Sequence, residues 1–487
     1  MKLKHLSFFH QNSRSYSVLF ILLIFIASCA RDYVTGKRTF NLVSEQEEVK
    51  IGKEADPSIS AQYGLYNDPE LSAYIDNIGQ KIAAISHRPK LKYTFRVVDS
   101  PIVNAFALPG GWIYFTRGIL AHFNSEEELA GVMGHEIGHV VARHGAEQMS
   151  KAQLAGIGLA GMSIFSPELA RFGELAQVGV GLLFLKFGRS QESESDRLGV
   201  EYSTKLGYDA HKMADFFRTI ARLSESAEGS LPNFLSTHPN PVDRESTVNR
   251  LAGEWQKKIN FKPLKINSRD YYKRIDGLVY GNDPRQGFVE NQTFYHPEMQ
   301  FQFPVPETWK IANMPTIVQM ASPDEKAYIQ FSLALEKTLA AAADKFVQEN
   351  KLTVINRQNT KINEFNALLV DAKHETETQS IRVLTYYIQK DKNIFSFQGL
   401  AKTADYESKK NDLYYVMTGF RQLTDQNALN KKPLRIRIET VNNPDTFKNV
   451  MKLFRMKEDL FPELAILNGV EESARLNKGD IVKIIRE

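Results

Sequence analysis

Between Ser125 and Gln148 the chain spells a helix that belongs in a core. Ser125 is an N-cap residue type, Glu126, Glu127 and Glu128 fill the first turn against the positive end of the helix dipole, and Leu129, Val132, Met133, Ile137 and Val140 recur at helical spacing. His135 and His139 stand four apart, so only about 40° separates them around the axis. Both imidazoles can then reach one tetrahedral zinc ion, at roughly 2.0–2.1 Å per bond. Glu136 is placed to act on water at that metal rather than to bind it. Gly134 and Gly138 each cost roughly 1 kcal/mol of helix propensity, which suggests that another element must approach this helix closely. A bare His-Glu-x-x-His can also be two histidines and a glutamate on a charged face, so a third ligand decides the matter.

Residues 191–199 offer one. Glu192 and Asp196 lie four apart on one helix face, so Glu192 can ligate zinc while Asp196 hydrogen-bonds the outer nitrogen of a zinc histidine and fixes its tautomer. Glu194 competes, but Asp196 would then sit two residues away on another face, and Glu192 is preferred. His144 is five residues beyond His139, about 140° around a continuous helix, which makes it a surface residue or a partner of a ligand. Gly145 occupies the place of the third metzincin histidine.

With 487 residues, 43% of them hydrophobic and 24% charged, the chain supports two to four domains. Its net charge of +4, without a basic-aromatic patch, argues against nucleic acid as a partner. Cys29 is the single cysteine, which excludes a disulfide framework and a cysteine-based zinc site. Lys2, Lys4 and Arg14 precede an apolar run, Val18 to Ala27, that is shorter than the roughly 20 residues of a membrane span. It ends at Ile26-Ala27-Ser28-Cys29, which resembles a bacterial lipobox. Residues 1–28 are therefore expected to be a lipoprotein signal peptide and Cys29 the lipidated residue. Ala30, being non-acidic, resembles the residue found in lipoproteins sent to the outer membrane, so a periplasmic, lipid-anchored protein is expected.

Ser44 and Glu47 form a capping box opening a helix to about Glu54, and a second helix follows Asp68-Pro69 to about Ser86. Tyr93 to Val98 alternates like a strand, and Asn104 to Phe115 reads as strand, turn, strand around Pro109-Gly110-Gly111. Such a hairpin beside the zinc helix is either a core hairpin or a strand that holds extended peptide by strand addition, through Asn104, Ala105 and Phe106. Ala152 to Leu185 is rich in Gly, Ala and Leu but broken by Glu168, Arg171 and Glu174, and reads as buried or amphipathic helices, expected to cover the site. From His296 the texture turns to short alternating segments, with helices at Leu339 to Glu349 and Asp405 to Met417. That is an α+β domain with an antiparallel sheet. Phe303-Pro304-Val305-Pro306-Glu307-Thr308-Trp309 resembles the start of Mog1/PsbP-like modules, and the stretches around Leu467-Asn468-Gly469 and Leu476 to Ile484 look like a diverged lysin motif.

Asn104 to Gly111, the His135-to-His144 core and Glu192 to Gly199 occur in an order that resembles the CAAX prenyl protease and HtpX-type zinc metallopeptidases, over roughly residues 35–260. The soluble periplasmic branch is the most similar, and Ser195 departs from its usual alanine. The resemblance implies His135, His139 and Glu192 on one zinc per chain, Glu136 as general base and Asp196 behind the ligands. It also implies that His238, in Ser236-Thr237-His238-Pro239-Asn240-Pro241, approaches the zinc from outside the helices. There it would plug a resting site or stabilise the oxyanion, with Arg244 supporting the same charge; a Thr-His-Pro capping turn is the plain alternative.

The expected architecture is multi-domain: a signal peptide (1–28), then a mainly α-helical zincin-like metallopeptidase domain with a small sheet (29–265). A connector (266–290), an α+β antiparallel-sheet domain (291–425) and a lysin-motif-like βααβ module (433–487) follow. The expected function is a zinc-dependent endopeptidase of the bacterial cell envelope that degrades misfolded or stalled proteins. Its partners would be unfolded or extended substrates, a membrane through lipidated Cys29, and peptidoglycan or an envelope partner through 433–487. The alternative is a periplasmic assembly chaperone with structural zinc.

Overall fold

The computed structural model describes residues 29–154, 186–226, 234, 237–238, 243–264, 268–375 and 380–487. The signal-peptide expectation, most of the Ala152-to-Leu185 stretch, and Ser236 with residues 239–241 lie outside them.

Helix α1 (Glu45–Tyr63) opens with the capping box of Ser44 and Glu47. It does not stop near Glu54 but runs through Pro57. A mid-helix proline forfeits one hydrogen bond. Here the turn is held from outside, because Asp56 takes two 2.6 Å bonds from Arg96 and one of 2.7 Å from the Tyr114 hydroxyl. Helix α2 (Pro69–Ala84) is capped by Asp68 and buries Leu71, Ile75, Ile78 and Ile82. A three-stranded sheet follows, with β1 (Thr94–Val98) parallel to the central β3 (Trp112–Thr116), and β2 (Ala105–Leu108) antiparallel to it on the outer side. The β2–β3 turn needs Gly110 at φ +82°, and a Cβ there would stand 2.6 Å from the Glu48 carbonyl oxygen.

Helices α3 (Arg117–His122), α4 (Glu126–Val141), α5 (His144–Leu154), α6 (Arg189–Lys205), α7 (His211–Ser226), α8 (Arg244–Ile259) and α9 (Ser268–Ile275) complete this body. The helix expected from Glu126 to Gln148 is two helices. It breaks at Arg143, whose φ of +60° turns the chain, and whose guanidinium bonds Glu48 Oε1 at 2.5 Å and the Val43 carbonyl at 2.6 Å. Arg88 joins the same buried carboxylate at 3.2 Å.

The second body is a seven-stranded antiparallel sheet. Its strands are β4 (Lys310–Met314), β5 (Ile317–Ala321), β6 (Ala327–Ala334), β7 (Thr353–Ile362), β8 (Phe365–Glu375), β9 (Ser380–Lys390) and β10 (Asn393–Lys402), in the order β7-β8-β9-β10-β6-β5-β4. Helix α10 (Leu339–Glu349) packs on one face through Ala342, Ala343 and Phe346. Helix α11 (Thr403–Thr418) covers the other, with a small four-stranded sheet between residues 288 and 422 adding Phe294, Phe301 and Phe303.

In the C-terminal module, strands β11 (Arg435–Thr440) and β12 (Ile481–Arg486) pair antiparallel around helices α12 (Phe447–Leu453) and α13 (Phe461–Leu467). Its apolar residues belong to the same core as α4: Ile436, Phe447, Leu464 and Ile484 pack in one cluster with Leu129, Met133 and Phe216. Lys483, fully buried, donates from Nζ to the carbonyls of Ala121 (2.8 Å) and Phe123 (3.0 Å) at the end of α3.

Candidate metal centre

Helix α4 is buried along almost its whole length because α6 crosses it at glycine contacts. A Cβ on Gly134 would lie 3.0 Å from Gly199 Cα, and one on Gly138 would lie 3.2 Å from Ser195 Cα. These are the close approaches that the two costly glycines suggested. The contact at Gly138 is with the Ser195 backbone, while the Ser195 hydroxyl lies 3.4 Å from His144 Nδ1.

The crossing sets His135, His139 and Glu192 face to face, and the turn after Phe234 adds His238. All four are buried, at 2% exposure or less. His135 Nε2 and His139 Nε2 are 3.0 Å apart. Glu192 Oε1 lies 3.3 Å from His139 Nε2, and Oε2 lies 3.6 Å from His135 Nε2. His238 Nδ1 stands 3.0 Å from Glu192 Oε1 and 3.3 Å from His135 Nε2. The edges of a tetrahedron with bonds of roughly 2.0–2.1 Å measure about 3.3–3.4 Å, so this donor set fits zinc. Burial pushes the His139 pKa well down, keeping the ring neutral as a ligand must be. Burial opposes ionisation of Glu192, yet His238 and His139 hold it well below the usual glutamate range.

The supports behind the ligands are specific. Asp196 Oδ1 is 2.9 Å from His135 Nδ1, and Arg244 grips Asp196 with two 2.8 Å bonds. Arg244 Nη2 also lies 3.1 Å from Glu192 Oε2, a charge contact without hydrogen-bond alignment. Arg244 thus stands behind Glu192 and Asp196, with its Nη1 buried and unpartnered. The break at Arg143 folds His144 back onto the site, its Nδ1 2.9 Å from His139 Nδ1 and its Nε2 3.3 Å from Glu194 Oε2. Of the two roles open to His144 in the sequence, the buried partner of a ligand is the one found. Glu194, the competing ligand, faces His144.

Glu136 differs from all of these. Both of its carboxylate oxygens are buried without a hydrogen-bond partner, and burial raises its pKa. His238 Nε2, 3.6 Å from Glu136 Oε1, is likewise unpartnered. Orphaned polar groups of this kind are costly unless a bound group or a reaction uses them.

Strand β2 is the outer strand of its sheet, and Asn104 at its start ties down the His238 turn. The Thr237 hydroxyl donates to Asn104 Oδ1 (3.4 Å), and the Phe234 amide donates to the Val103 carbonyl (3.1 Å). Ala105 is buried and Phe106 stacks on Tyr114 at 4.9 Å. Phe187, which carries no readable signal in the sequence, stacks on His139 at 4.0 Å. Among the described residues, a cavity of about 10 Å³ lies between β2 and His139, room for one water.

Two histidines one turn apart, a glutamate from a second helix and an unengaged carboxylate between them define a metallopeptidase-type zinc site. The profile of Peptidase family M48 matches residues 69–252. The chain is 31% identical over 234 residues to the mitochondrial metalloendopeptidase OMA1 of Schizosaccharomyces pombe, covering 46% of this chain and 67% of that one. It is 35% identical over 213 residues to a Vibrio cholerae protein named as a beta-barrel assembly-enhancing protease, covering 42% of each. Its identity to the Escherichia coli beta-barrel assembly-enhancing protease is 28% over 250 residues, 49% of each chain. The chain belongs to Peptidase family M48, a family of zinc metallopeptidases. It spans about half or less of the length of the beta-barrel assembly-enhancing proteases it matches. A solution structure of PsbP from Synechocystis aligns at a TM-score of 0.24 with 10% identity, over 27% of this chain and 91% of that one, a likeness too slight to bear on function.

Proposed function

We propose that the chain is a zinc-dependent endopeptidase of the bacterial cell envelope that cleaves unfolded or extended polypeptide, and that its site is closed at rest. The observation that carries this reading is the unpartnered Glu136 carboxylate buried against the His135, His139, Glu192 cluster. Those three residues would hold the metal, which supplies Lewis acidity, polarising a carbonyl and acidifying water.

The remaining work falls to the chain. Glu136 takes a proton from the attacking water and returns it to the leaving amine, and its raised pKa brings it nearer the working pH for both transfers. Asp196, clamped by Arg244, holds the His135 ring in one tautomer. Strand β2 offers a main-chain edge to substrate once the cover of Phe187 and His238 moves aside. Donation to the oxyanion from its unpartnered Nε2 is the alternative role for His238, and a loss of turnover in His238→Ala would favour it over the plug.

Support for a closed resting state comes from packing among the described residues: the fully buried His238 lies among the ligands, and Phe187 stacks on His139. Membrane attachment through Cys29 rests on the lipobox-like sequence, and the envelope location also on the kinship with beta-barrel assembly-enhancing proteases. No helix among the described residues is long and apolar enough to cross a membrane. Contact with peptidoglycan or an envelope partner through 433–487 rests on sequence pattern alone.

A second reading has one observation in its favour, since a closed four-donor set is what structural zinc sites use. An assembly chaperone would fit that. It leaves the Glu136 carboxylate unexplained, because a structural site gains nothing from a buried, unsolvated charge.

The closed state is tested by casein turnover in His238→Ala against wild type. A plug in place nine-tenths of the time lowers apparent activity about tenfold. The variant should therefore gain roughly that factor with zinc retained. Equal or lower turnover with zinc still bound would remove His238 from the role of plug.

A further inference from the structure

The seven-stranded sheet carries a second feature that the metal centre does not use. On the face toward α10, Gln319, Gln330, Gln398 and Thr385 stand directly opposite one another across β5, β6, β10 and β9. Ser332 and Ser396 form the adjacent row on β6 and β10. The other face of the same strands is apolar, with Val318, Phe331 and Phe397 packed in the α11 core. Further along, under α10 itself, the polar face turns apolar again at Val370 and Val383. The glutamines are nonetheless buried, at 6–8% exposure, and Thr385 and Ser396 more so.

A sheet face that needed only to be covered would not bury three side-chain amides. Their mutual contacts are long: 3.2 Å from Gln319 to Gln330, 3.4 Å from Gln330 to Gln398, and 3.4 Å from Gln398 to Ser396. Each amide has four hydrogen-bonding positions, so most of the row's capacity is unspent. Gln319 Oε1 and Thr385 Oγ1 are buried with no partner at all.

Beside this row lies a cleft of about 760 Å³, lined by Gln330, Gln398 and Ser396 and roofed by Pro57 and Ala61 of α1. Apolar groups from Met314, Leu335 and Phe346 form its other walls. The Lys345 and Glu336 charges at its edge neutralise each other at 2.9 Å, and Glu349 is the remaining charged residue of the lining. A large cleft with a few convergent polar groups and apolar walls has the make-up of a ligand site.

We propose that this cleft binds an uncharged, extended segment of polypeptide. Side-chain amides both donate and accept, as the backbone amides of such a segment do, so the row's unspent positions can pair with them. Methionine and leucine walls adapt to varied side chains, and Phe346 and Tyr387 add aromatic surface to the lining. The roofing helix α1 is tied at Asp56 to Tyr114 of β3, the strand that pairs with β2. A segment held here would lie against a helix bonded to the sheet that carries the proposed substrate edge. The purpose of the site rests on the peptidase reading, but its existence does not.

The test uses the full chain carrying Glu136→Gln, so that the probe is not consumed. The probe is a fluorescein-labelled, uncharged peptide of about ten residues alternating valine with asparagine and serine. Its anisotropy is read against the parent chain and against the double variant Gln330→Leu, Gln398→Leu. The parent should bind, and the double variant should bind about tenfold more weakly or worse, the loss of two hydrogen bonds. With the sheet unaltered, p-benzoylphenylalanine at Leu335, which is 81% exposed, should crosslink the peptide, while the same group at Leu453, 65% exposed, should not. Peptide affinity unchanged in the double variant, equal crosslinking at both positions, or no peptide binding would each overturn the proposal. Chitotetraose binding in the peptide's place would overturn the polypeptide assignment in favour of a glycan. Casein turnover in the Glu136-containing chain is a separate readout, so failure of the cleft and failure of the peptidase reading are told apart.

Discussion

Glu136→Gln should lose roughly 10²–10⁴-fold in peptide-bond hydrolysis, the range that a positioned general base contributes, while keeping its zinc. The substitution is nearly isosteric and leaves His135, His139 and Glu192 untouched. It exchanges a buried carboxylate without hydrogen-bond partners for a neutral amide, so the melting temperature should hold or rise. That combination, an activity lost where stability is not, marks a group kept for chemistry at a structural cost. A chaperone with structural zinc would pass through this change unharmed. Casein turnover, zinc content and thermal melting on the same preparation check all three points.

Lys483→Met should destabilise the chain by roughly 2–4 kcal/mol, because the Ala121 and Phe123 carbonyls lose their buried donor. A melting temperature lower by about 5–10 °C is the expected readout. The loss should reach the metal site, since the module's apolar residues share one core with α4. The variant should also respond to pH. Burial pushes the Glu128 carboxyl up, and Lys483 partly offsets this. A carboxyl whose pKa is higher in the folded state than in the unfolded one contributes stability that is present at low pH and lost as pH rises. Without Lys483 the shift grows, so the variant should fall further behind wild type at pH 9 than at pH 6. An unchanged melting temperature at both would show that the module is an appendage rather than part of the catalytic body.

Much of the centre is legible in the sequence because local geometry dictates it. Four-residue spacing sets His135 beside His139, and the two costly glycines announce the helix that brings Glu192. Helix α2, with Asp68 and Pro69 at its start and isoleucines on one face, is legible for the same reason. What stays hidden depends on contacts far away in the chain. The chain turns at Arg143, after the end of α4, because Glu48 and the Val43 carbonyl hold that side chain, and nothing near Arg143 announces the break. Without it, His144 reads as 140° off the ligand face; with it, the ring lies against His139. Helix α1 passes Pro57 because Arg96 and Tyr114 secure Asp56 from the neighbouring sheet. Strand β7 escapes notice for another reason: as an edge strand it is exposed at almost every position and has no buried face to show alternation.

The central claim is that the buried cluster of His135, His139 and Glu192 holds a catalytic zinc ion. The most direct measurement is metal content and casein turnover on one purified sample, before chelation, after chelation, and after return of stoichiometric zinc. The account predicts about one zinc per chain, turnover abolished on its removal, and recovery on its return. Turnover that persists after the zinc is gone, or a chain that binds none, would contradict it.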